Sequence, residues 1–132
     1  MSKMHHRRPA LLGLSTGLLI SIGANVFSIT ASADPVSNGK QAFSLCAACH
    51  RLDGKSGVGP YLNGVIGRKA GELEGFRYSR PMKSSGVVWT AEALDKYLQN
   101  PQTAMPGNRM PFSGLPDADK RADIIAYLAT MK

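Results

Sequence analysis

The stretch FSLCAACHRL, residues 43–52, contains both cysteines of the chain, Cys46 and Cys49, and places His50 directly after the second one. Residues three positions apart lie on the same face of a helix. If this stretch is helical, the two thiols therefore face one side and the imidazole follows within the same turn. The function of this cluster depends on what the rest of the sequence supplies.

The N-terminal segment has the pattern of a secretory signal peptide. It begins with the basic sequence MSKMHHRR, continues as an apolar stretch from about residue 10 to 29, and ends in the small-residue sequence ASA at 31–33. We therefore predict a signal peptide at 1–33 and one domain at 34–132, exported to the periplasm. The alternative is an uncleaved membrane anchor, because the apolar stretch is just long enough to span a bilayer.

Composition limits what the predicted domain can be. Removing residues 1–33 takes away three of the 16 basic residues and none of the 9 acidic ones, so the net charge falls from +7 to +4. The domain has no basic run interleaved with aromatic residues, and we expect no nucleic-acid binding. A domain of about 100 residues buries little apolar surface, so we expect a cofactor, a metal or a cross-link to help stabilise it.

Four interpretations of the cysteine pair compete. A disulfide between Cys46 and Cys49 would close a very short loop and stabilise little, and a thioredoxin-like pair is expected beside a strand, which the sequence does not show. A zinc site requires four ligands, but His5 and His6 leave with the signal peptide, so that His50 is the only histidine left. Covalent haem attachment needs only what is present, because each thiol adds to a haem vinyl group and the adjacent histidine binds the iron.

The coarse secondary structure is helical with long loops. Apolar spacing and capping residues predict helices over 36–49, from Thr90 to Asn100, and from about Pro116 to Thr130. Frequent glycine and proline between 51 and 88 predict loop with one short helical turn, and four prolines predict a second loop over 101–116. The predicted class is all-α, small and loop-rich. Loops of this length are expected in a compact domain only if they wrap a large rigid group.

Longer motifs identify the family that the predicted domain resembles. From GKQAFSLCAACH to RADIIAYLATMK the sequence is similar to class I c-type cytochromes of the mitochondrial kind, in a bacterial exported form. The matching stretches are GVGPYLNGVIGRKAG, GFRYS, GVVW, LDKYLQNP, MPGNRMPF and RADIIAYL, in that order. The resemblance implies a cytochrome c fold wrapped around one covalent haem c.

The resemblance also implies roles for individual residues. Cys46 and Cys49 would form the thioether bonds, His50 and Met110 would be the axial iron ligands, and the carbonyl of Pro60 would accept the other N–H of the histidine. The remaining haem contacts implied by the family are donors to a buried propionate and aromatic side chains on the distal side: Arg68, Tyr78, Trp89, Tyr97 and Phe112.

Some positions depart from the family pattern or leave an alternative open. Met82 and Asn108 stand where the mitochondrial pattern has other polar residues near the haem; Met82 cannot donate a hydrogen bond, whereas Asn108 can and is predicted to bind the cofactor. Met105, which precedes Pro106, competes with Met110 as the sixth ligand. These departures affect the network around the propionate rather than the attachment motif.

The resemblance further implies how the terminal helices pack. Gly39 and Phe43 are expected to meet the face formed by residues 124–127 of the last helix, and the glycine would allow close approach of the two backbones.

Function follows from the implied ligand set. Histidine and methionine would close both axial positions, so we predict a soluble, monomeric electron carrier with one haem rather than an enzyme. A peroxidase or ligand sensor would need a distal acid or base, and the mature chain has no second histidine. A dedicated haem partner or subunit of one periplasmic dehydrogenase is the alternative. The expected partners are redox proteins with acidic docking surfaces, with membrane contact only through an uncleaved N-terminal segment or membrane redox complexes.

Overall fold

The computed structural model describes residues 34–132, and the predicted signal peptide at 1–33 lies outside them. Over the described residues the chain forms six helices: α1 (Pro35–Ala42), α2 (Ser44–Ala47), α3 (Arg80–Ser84), α4 (Ala91–Gln99), α5 (Pro101–Ala104) and α6 (Ala118–Thr130). Pairing between extended segments in this part of the chain is limited to one isolated bridge, Lys69 with Val88. The predicted small, all-α, loop-rich class is therefore confirmed. None of the helices in 34–132 is long and apolar enough to cross a membrane.

The first predicted helix is divided in two. Asp34 caps α1, because its carboxylate accepts the backbone N–H groups of Val36 and Ser37 at 3.3 and 3.2 Å. The chain then turns at Phe43 before continuing as α2. The prediction of one helix over 36–49 was correct in type but missed this turn, which directs the Phe43 ring into the core.

The terminal helices α1 and α6 cross at a glycine, as predicted. A Cβ atom added at Gly39 would lie 1.9 Å from the carbonyl oxygen of Asp123 and 2.8 Å from the Cβ of Tyr127. Beside this contact, the rings of Phe43 and Tyr127 pack edge to face with centroids 5.7 Å apart. Since a backbone atom cannot yield as a flexible side chain can, only glycine permits this crossing.

The segment between α2 and α4 is loop with one short helix, as the frequency of glycine and proline predicted. The short helix, α3, is capped by the preceding Ser79, whose hydroxyl accepts the N–H of Met82 at 3.3 Å. A backbone hydrogen bond also joins two distant parts of this segment, because Trp89 donates its N–H to the carbonyl of Arg68 at 2.9 Å. This bond helps to hold Trp89 in the core, where its side chain is buried.

The segment predicted as a second loop, 101–116, begins instead with the short helix α5. Asn100 ends α4 in an extended conformation, and its side-chain oxygen accepts the backbone N–H of Thr103 at 3.0 Å. Pro101 occupies the first helical position, where its missing N–H would have no intrahelical partner in any case. The prediction of loop was therefore wrong for the first four residues, because a single turn is too short to show apolar periodicity.

Candidate haem-binding site

The cysteine motif lies on the short helix α2 and the turn that follows it. The backbone N–H groups of Cys49 and His50 both reach the carbonyl of Cys46, at 3.0 and 2.9 Å. Cys46 and Cys49 are half-buried free thiols. Burial, with a smaller contribution from Cys49, raises the pKa of the Cys46 thiol, so that this group is protonated at neutral pH.

The orientation of His50 is set by the loop that follows it. Its Nδ1 lies 2.8 Å from the carbonyl oxygen of Pro60. A carbonyl can only accept, so Nδ1 carries a proton and Nε2 is the ring nitrogen left for another partner. Gly59 packs on the ring, because a Cβ added there would lie 2.5 Å from Cε1 and 2.7 Å from Nδ1. The ring of His50 is thus oriented by the hydrogen bond to Pro60 that the family resemblance implied, with Nε2 on the side away from that carbonyl.

Two of the predicted propionate donors, Arg68 and Trp89, lie on neighbouring segments. The guanidinium of Arg68 donates to the carbonyl of Tyr61 at 2.9 Å and to that of Asn63, and it stacks 5.0 Å above the Tyr61 ring. The indole ring of Trp89 is buried, with its centroid 5.0 Å from that of Tyr97. Arg68 therefore already has two backbone partners, and its contact with a propionate stays a prediction.

Tyr78, the third predicted donor, packs edge to face on Phe76 with centroids 4.9 Å apart. Burial is the largest influence on its phenol and raises its pKa, while the positive charge of Arg68 acts in the opposite direction. The phenol therefore keeps its proton at neutral pH and is available as a hydrogen-bond donor. Its proposed partner, a propionate, stays a prediction.

Both methionines that could bind iron from the distal side are in contact with the core. Met105 is 7% exposed and is part of the core itself, whereas Met110 is half-buried and packs against it. Phe112 follows Met110 in a tight turn, since its backbone N–H reaches the carbonyl of Met110 at 2.9 Å. Met82, which departs from the family pattern, also packs against the core. The structure therefore packs Met105 and Met110 on one core with Tyr97, and Met110 as the ligand stays a prediction.

Asn108 lies at the centre of the loop that carries Met110. The sequence predicted that its amide contacts the haem, but in the structure both N–H groups are donated to backbone carbonyls, those of Pro101 at 2.9 Å and Met105 at 3.0 Å. Its oxygen accepts the phenol of Tyr97 at 3.2 Å and the backbone N–H of Met110 at 2.9 Å. Burial raises the pKa of Tyr97 to about 12, so the phenol remains a donor at neutral pH.

Arg121 is a residue of this region that the sequence reasoning missed. Its side chain is 6% exposed and forms an ion pair with Asp95 of α4, with Nε 2.6 Å from Oδ1. One of its Nη atoms donates to the carbonyls of Leu115 and Pro116, each at 2.8 Å. The signal that could have revealed it is its spacing, because Arg121 lies three and four positions before Ile124 and Ile125, in register with the buried face of α6.

The side chains present fit a covalently bound haem c. The motif offers two free thiols on one short helix, and the hydrogen bond from Nδ1 to Pro60 leaves Nε2 of the histidine as the nitrogen available to iron. Thioether sulfur is supplied by methionines packed on the same core. Thiols, imidazole and thioether together are the set by which c-type haem is attached and ligated.

Comparison with known proteins gives a consistent result. The family model described as cytochrome c matches residues 36–132. The chain is 52% identical to the cytochrome c-type cyt cy of Rhodobacter capsulatus over 94 residues, which are 70% of this chain and 47% of that relative, so it spans about half the length of that protein. It is 50% identical to the cytochrome c2 of Rhodomicrobium vannielii over 105 residues, 78% of this chain and 83% of the relative.

A solved structure supports the same comparison. The cytochrome cH from Methylobacterium extorquens superposes with a TM-score of 0.70 at 45% sequence identity, covering 72% of this chain and 97% of that one. The similarity therefore extends to the three-dimensional arrangement of the helices and loops.

Proposed function

The chain belongs to the cytochrome c family, and we propose that His50 and Met110 are the axial ligands of its one covalent haem c, bound through Cys46 and Cys49. It is an electron-transfer protein of the c type. When bound, the haem supplies an iron that takes up and releases single electrons. The observation that carries the assignment of His50 is the 2.8 Å hydrogen bond between its Nδ1 and the carbonyl of Pro60, which leaves Nε2 for the metal.

The side chains around the site contribute by holding the two ligands still. Pro60 and Gly59 restrain the imidazole ring, and Asn108 binds the backbone of Met110. Ligands that stay in place in both oxidation states keep the reorganisation on electron transfer small. A thioether opposite a histidine also favours ferrous iron and raises the potential. Because His50 and Met110 would together hold the iron and leave no position for a substrate, we propose a carrier of electrons rather than an enzyme.

The sixth ligand can be assigned by substitution of the two competing methionines. Replacing Met110 by alanine should abolish the absorption band that reports the sulfur–iron bond, lower the potential and permit carbon monoxide to bind. Replacing the buried Met105 by alanine should cost roughly 2–5 kcal/mol of stability through the cavity it leaves but retain the band. A band that disappears with Met105 and survives the loss of Met110 contradicts the assignment.

We also propose that the protein acts in the periplasm after removal of residues 1–33. The support is the basic, apolar and small-residue pattern of that segment. The proposal can be tested by measuring the intact mass of the protein isolated from the periplasm of the cells that express it. A mass that corresponds to residues 34–132 with one haem is expected, and a mass that retains the segment would favour a membrane anchor.

The proposed partners are redox proteins with acidic docking surfaces. The support is the net positive charge of the domain and its exposed basic side chains, which include Lys40, Lys55, Lys69 and Arg109. Attraction between opposite charges raises the association rate and is screened by salt. The rate of electron transfer with the physiological partner should fall modestly as ionic strength rises. The alternative is that one periplasmic dehydrogenase is the sole partner. Identifying the electron donor would distinguish this alternative from a carrier that serves several partners.

A further inference from the structure

We infer that Asn108 is the positioning residue for Met110 and acts through the loop backbone instead of through the haem. The inference rests on the proposed role of Met110 as ligand. Asn108 is 7% exposed, and its side-chain oxygen accepts the backbone N–H of Met110 at 2.9 Å. It therefore fixes the peptide from which the ligand side chain extends.

The amide of Asn108 has no hydrogen-bonding capacity left for a further partner. A side-chain amide has two N–H donors and one oxygen with two lone pairs. The donors are used by the carbonyls of Pro101 and Met105, and the lone pairs by Tyr97 and Met110. The three N–H···O contacts lie within ordinary hydrogen-bond distance, and the O–H···O contact from Tyr97, at 3.2 Å, is slightly longer than usual. One planar group thus connects α4, α5 and the ligand-bearing residue.

The backbone around Asn108 is itself held in place. The residues from Met105 to Asn108 form a turn in which the N–H of Asn108 reaches the carbonyl of Met105 at 3.1 Å. Gly107 has φ +80°, as the third position of a type II turn requires, and Pro106 suits the second position. A Cβ at Gly107 would also lie 3.3 Å from Cγ of Pro81 on α3. The position of the Asn108 amide is therefore fixed by the turn that precedes it and by the contact of Gly107 with α3.

The remaining side-chain hydrogen bond to the Met110 peptide is weak. Gln102 donates to the carbonyl of Met110 from an exposed position at 3.5 Å, the outer limit for such a bond. Removing the amide of Asn108 would leave the buried phenol of Tyr97 and the N–H of Met110 without their acceptor. Water would have to enter, or the loop would have to move, and either change releases the methionine from its fixed position.

The experiment compares Asn108→Ala, Asn108→Thr and Asn100→Ala in the holoprotein. Asn100 is the matched control, because it is an exposed asparagine of the same segment that makes a single capping bond to Thr103. We expect Asn108→Ala to weaken the sulfur–iron band and to increase carbon monoxide affinity at least about tenfold, because the Tyr97 phenol and the Met110 N–H both lose their acceptor. Asn108→Thr, whose hydroxyl can accept one of the two bonds, should recover part of the band, and Asn100→Ala should leave it unchanged.

A second measurement needs no substitution. In the native holoprotein the amide proton of Met110 should exchange slowly with solvent, because its acceptor is buried. Fast exchange at Met110 contradicts the inference, as does an Asn108→Ala protein with the native band and native carbon monoxide affinity. Equal effects of Asn100→Ala and Asn108→Ala also contradict it, since they would indicate general loosening of the loop. If the sulfur–iron band survives in Met110→Ala, the proposed assignment of Met110 as ligand is wrong. This result differs from those above, which contradict only the role of Asn108.

Discussion

The loop on the histidine side, residues 51–64, and the loop on the methionine side, residues 100–116, hold their proposed ligands by different kinds of contact. The first is held by partners close in sequence: Gly59 donates to Cys49 at 2.8 Å and Leu62 donates to Arg51 at 2.9 Å, and the side chain of Arg68 donates to the carbonyl of Tyr61 at 2.9 Å. Residues 53–58 of this loop are all exposed. The methionine side instead depends on the buried side chains of Asn108 and Arg121.

The difference shows which side depends on tertiary packing. On the histidine side the carbonyl of Pro60 is ten residues from His50 in sequence, so the loop needs little besides its own chain to form this contact. On the methionine side Arg121 binds the end of the loop from α6 and also pairs with Asp95, 26 residues away on α4. We therefore expect changes in helix packing to disturb Met110 before they disturb His50.

The largest effect should come from Arg121→Ala. This change leaves the carbonyls of Leu115 and Pro116 and the carboxylate of Asp95 without their donor, at a cost of about 3 kcal/mol. Arg51→Ala is the matched control, because it breaks an arginine–aspartate pair with Asp53 that is exposed to solvent, and such exposed pairs contribute little to stability. Chemical denaturation of the holoproteins measures both. Equal losses would show that burial does not distinguish the two pairs.

Gly59→Ala tests the histidine side and should have the next largest effect. The new methyl group would lie 2.5 Å from Cε1 of His50, so the ring or the loop must shift, at a cost of roughly 1–3 kcal/mol. We expect the haem absorption spectrum and potential to change with it. Gly57→Ala is the control, since its methyl would meet its nearest neighbour, the carbonyl oxygen of Cys49, at an ordinary 3.6 Å. A native spectrum in Gly59→Ala would show that the contact does not restrain the ring.

A smaller effect should appear in alkali, through Tyr97. Its pKa is raised from 10.0 to about 12 by burial. Below pH 10 the phenol is protonated in both the folded and unfolded states. Between pH 10 and 12 the unfolded state loses its proton first, so stability falls as pH rises. Tyr97→Phe should therefore show a shallower decline of stability in this window than the native protein, and parallel declines would indicate that the phenol is not buried in solution.

The smallest effect is expected from Asn63→Ala. Asn63 donates to the carbonyl of Leu52 at 2.6 Å and accepts from the N–H of Gly54 at 3.1 Å, so its loss should cost about 1 kcal/mol. Because this side chain acts within the histidine-side loop alone, the sulfur–iron band should not change. Asn63→Ala and Asn108→Ala can then be compared directly, because each removes one asparagine side chain from one of the two loops. Loss of the band in Asn63→Ala would remove the proposed distinction between the two loops.

Much of the candidate site could be predicted because the residues that define it lie close together in the sequence. The spacing of Cys46, Cys49 and His50 indicates covalent haem attachment, and the family motif implied the hydrogen bond from His50 to Pro60. Helix α5 could not be recognised from periodicity, since Asn100 and Pro101 start it by capping rather than by an apolar face. The hydrogen-bond partners of Asn108 could not be predicted either, because an asparagine looks the same in the sequence whether its amide binds a cofactor or a backbone carbonyl.

The sequence by itself determined the attachment motif and the class of fold, because these depend on residue type and spacing along the chain, and its motifs determined the family, whose pattern implied the crossing of α1 and α6 at Gly39. Only the tertiary structure decided how Arg121 joins α6 to Asp95 and to the end of the methionine loop, and which four groups share the amide of Asn108. The physical reason is that a buried polar side chain must find partners wherever packing leaves unsatisfied donors and acceptors. Those positions exist only once the helices have come together.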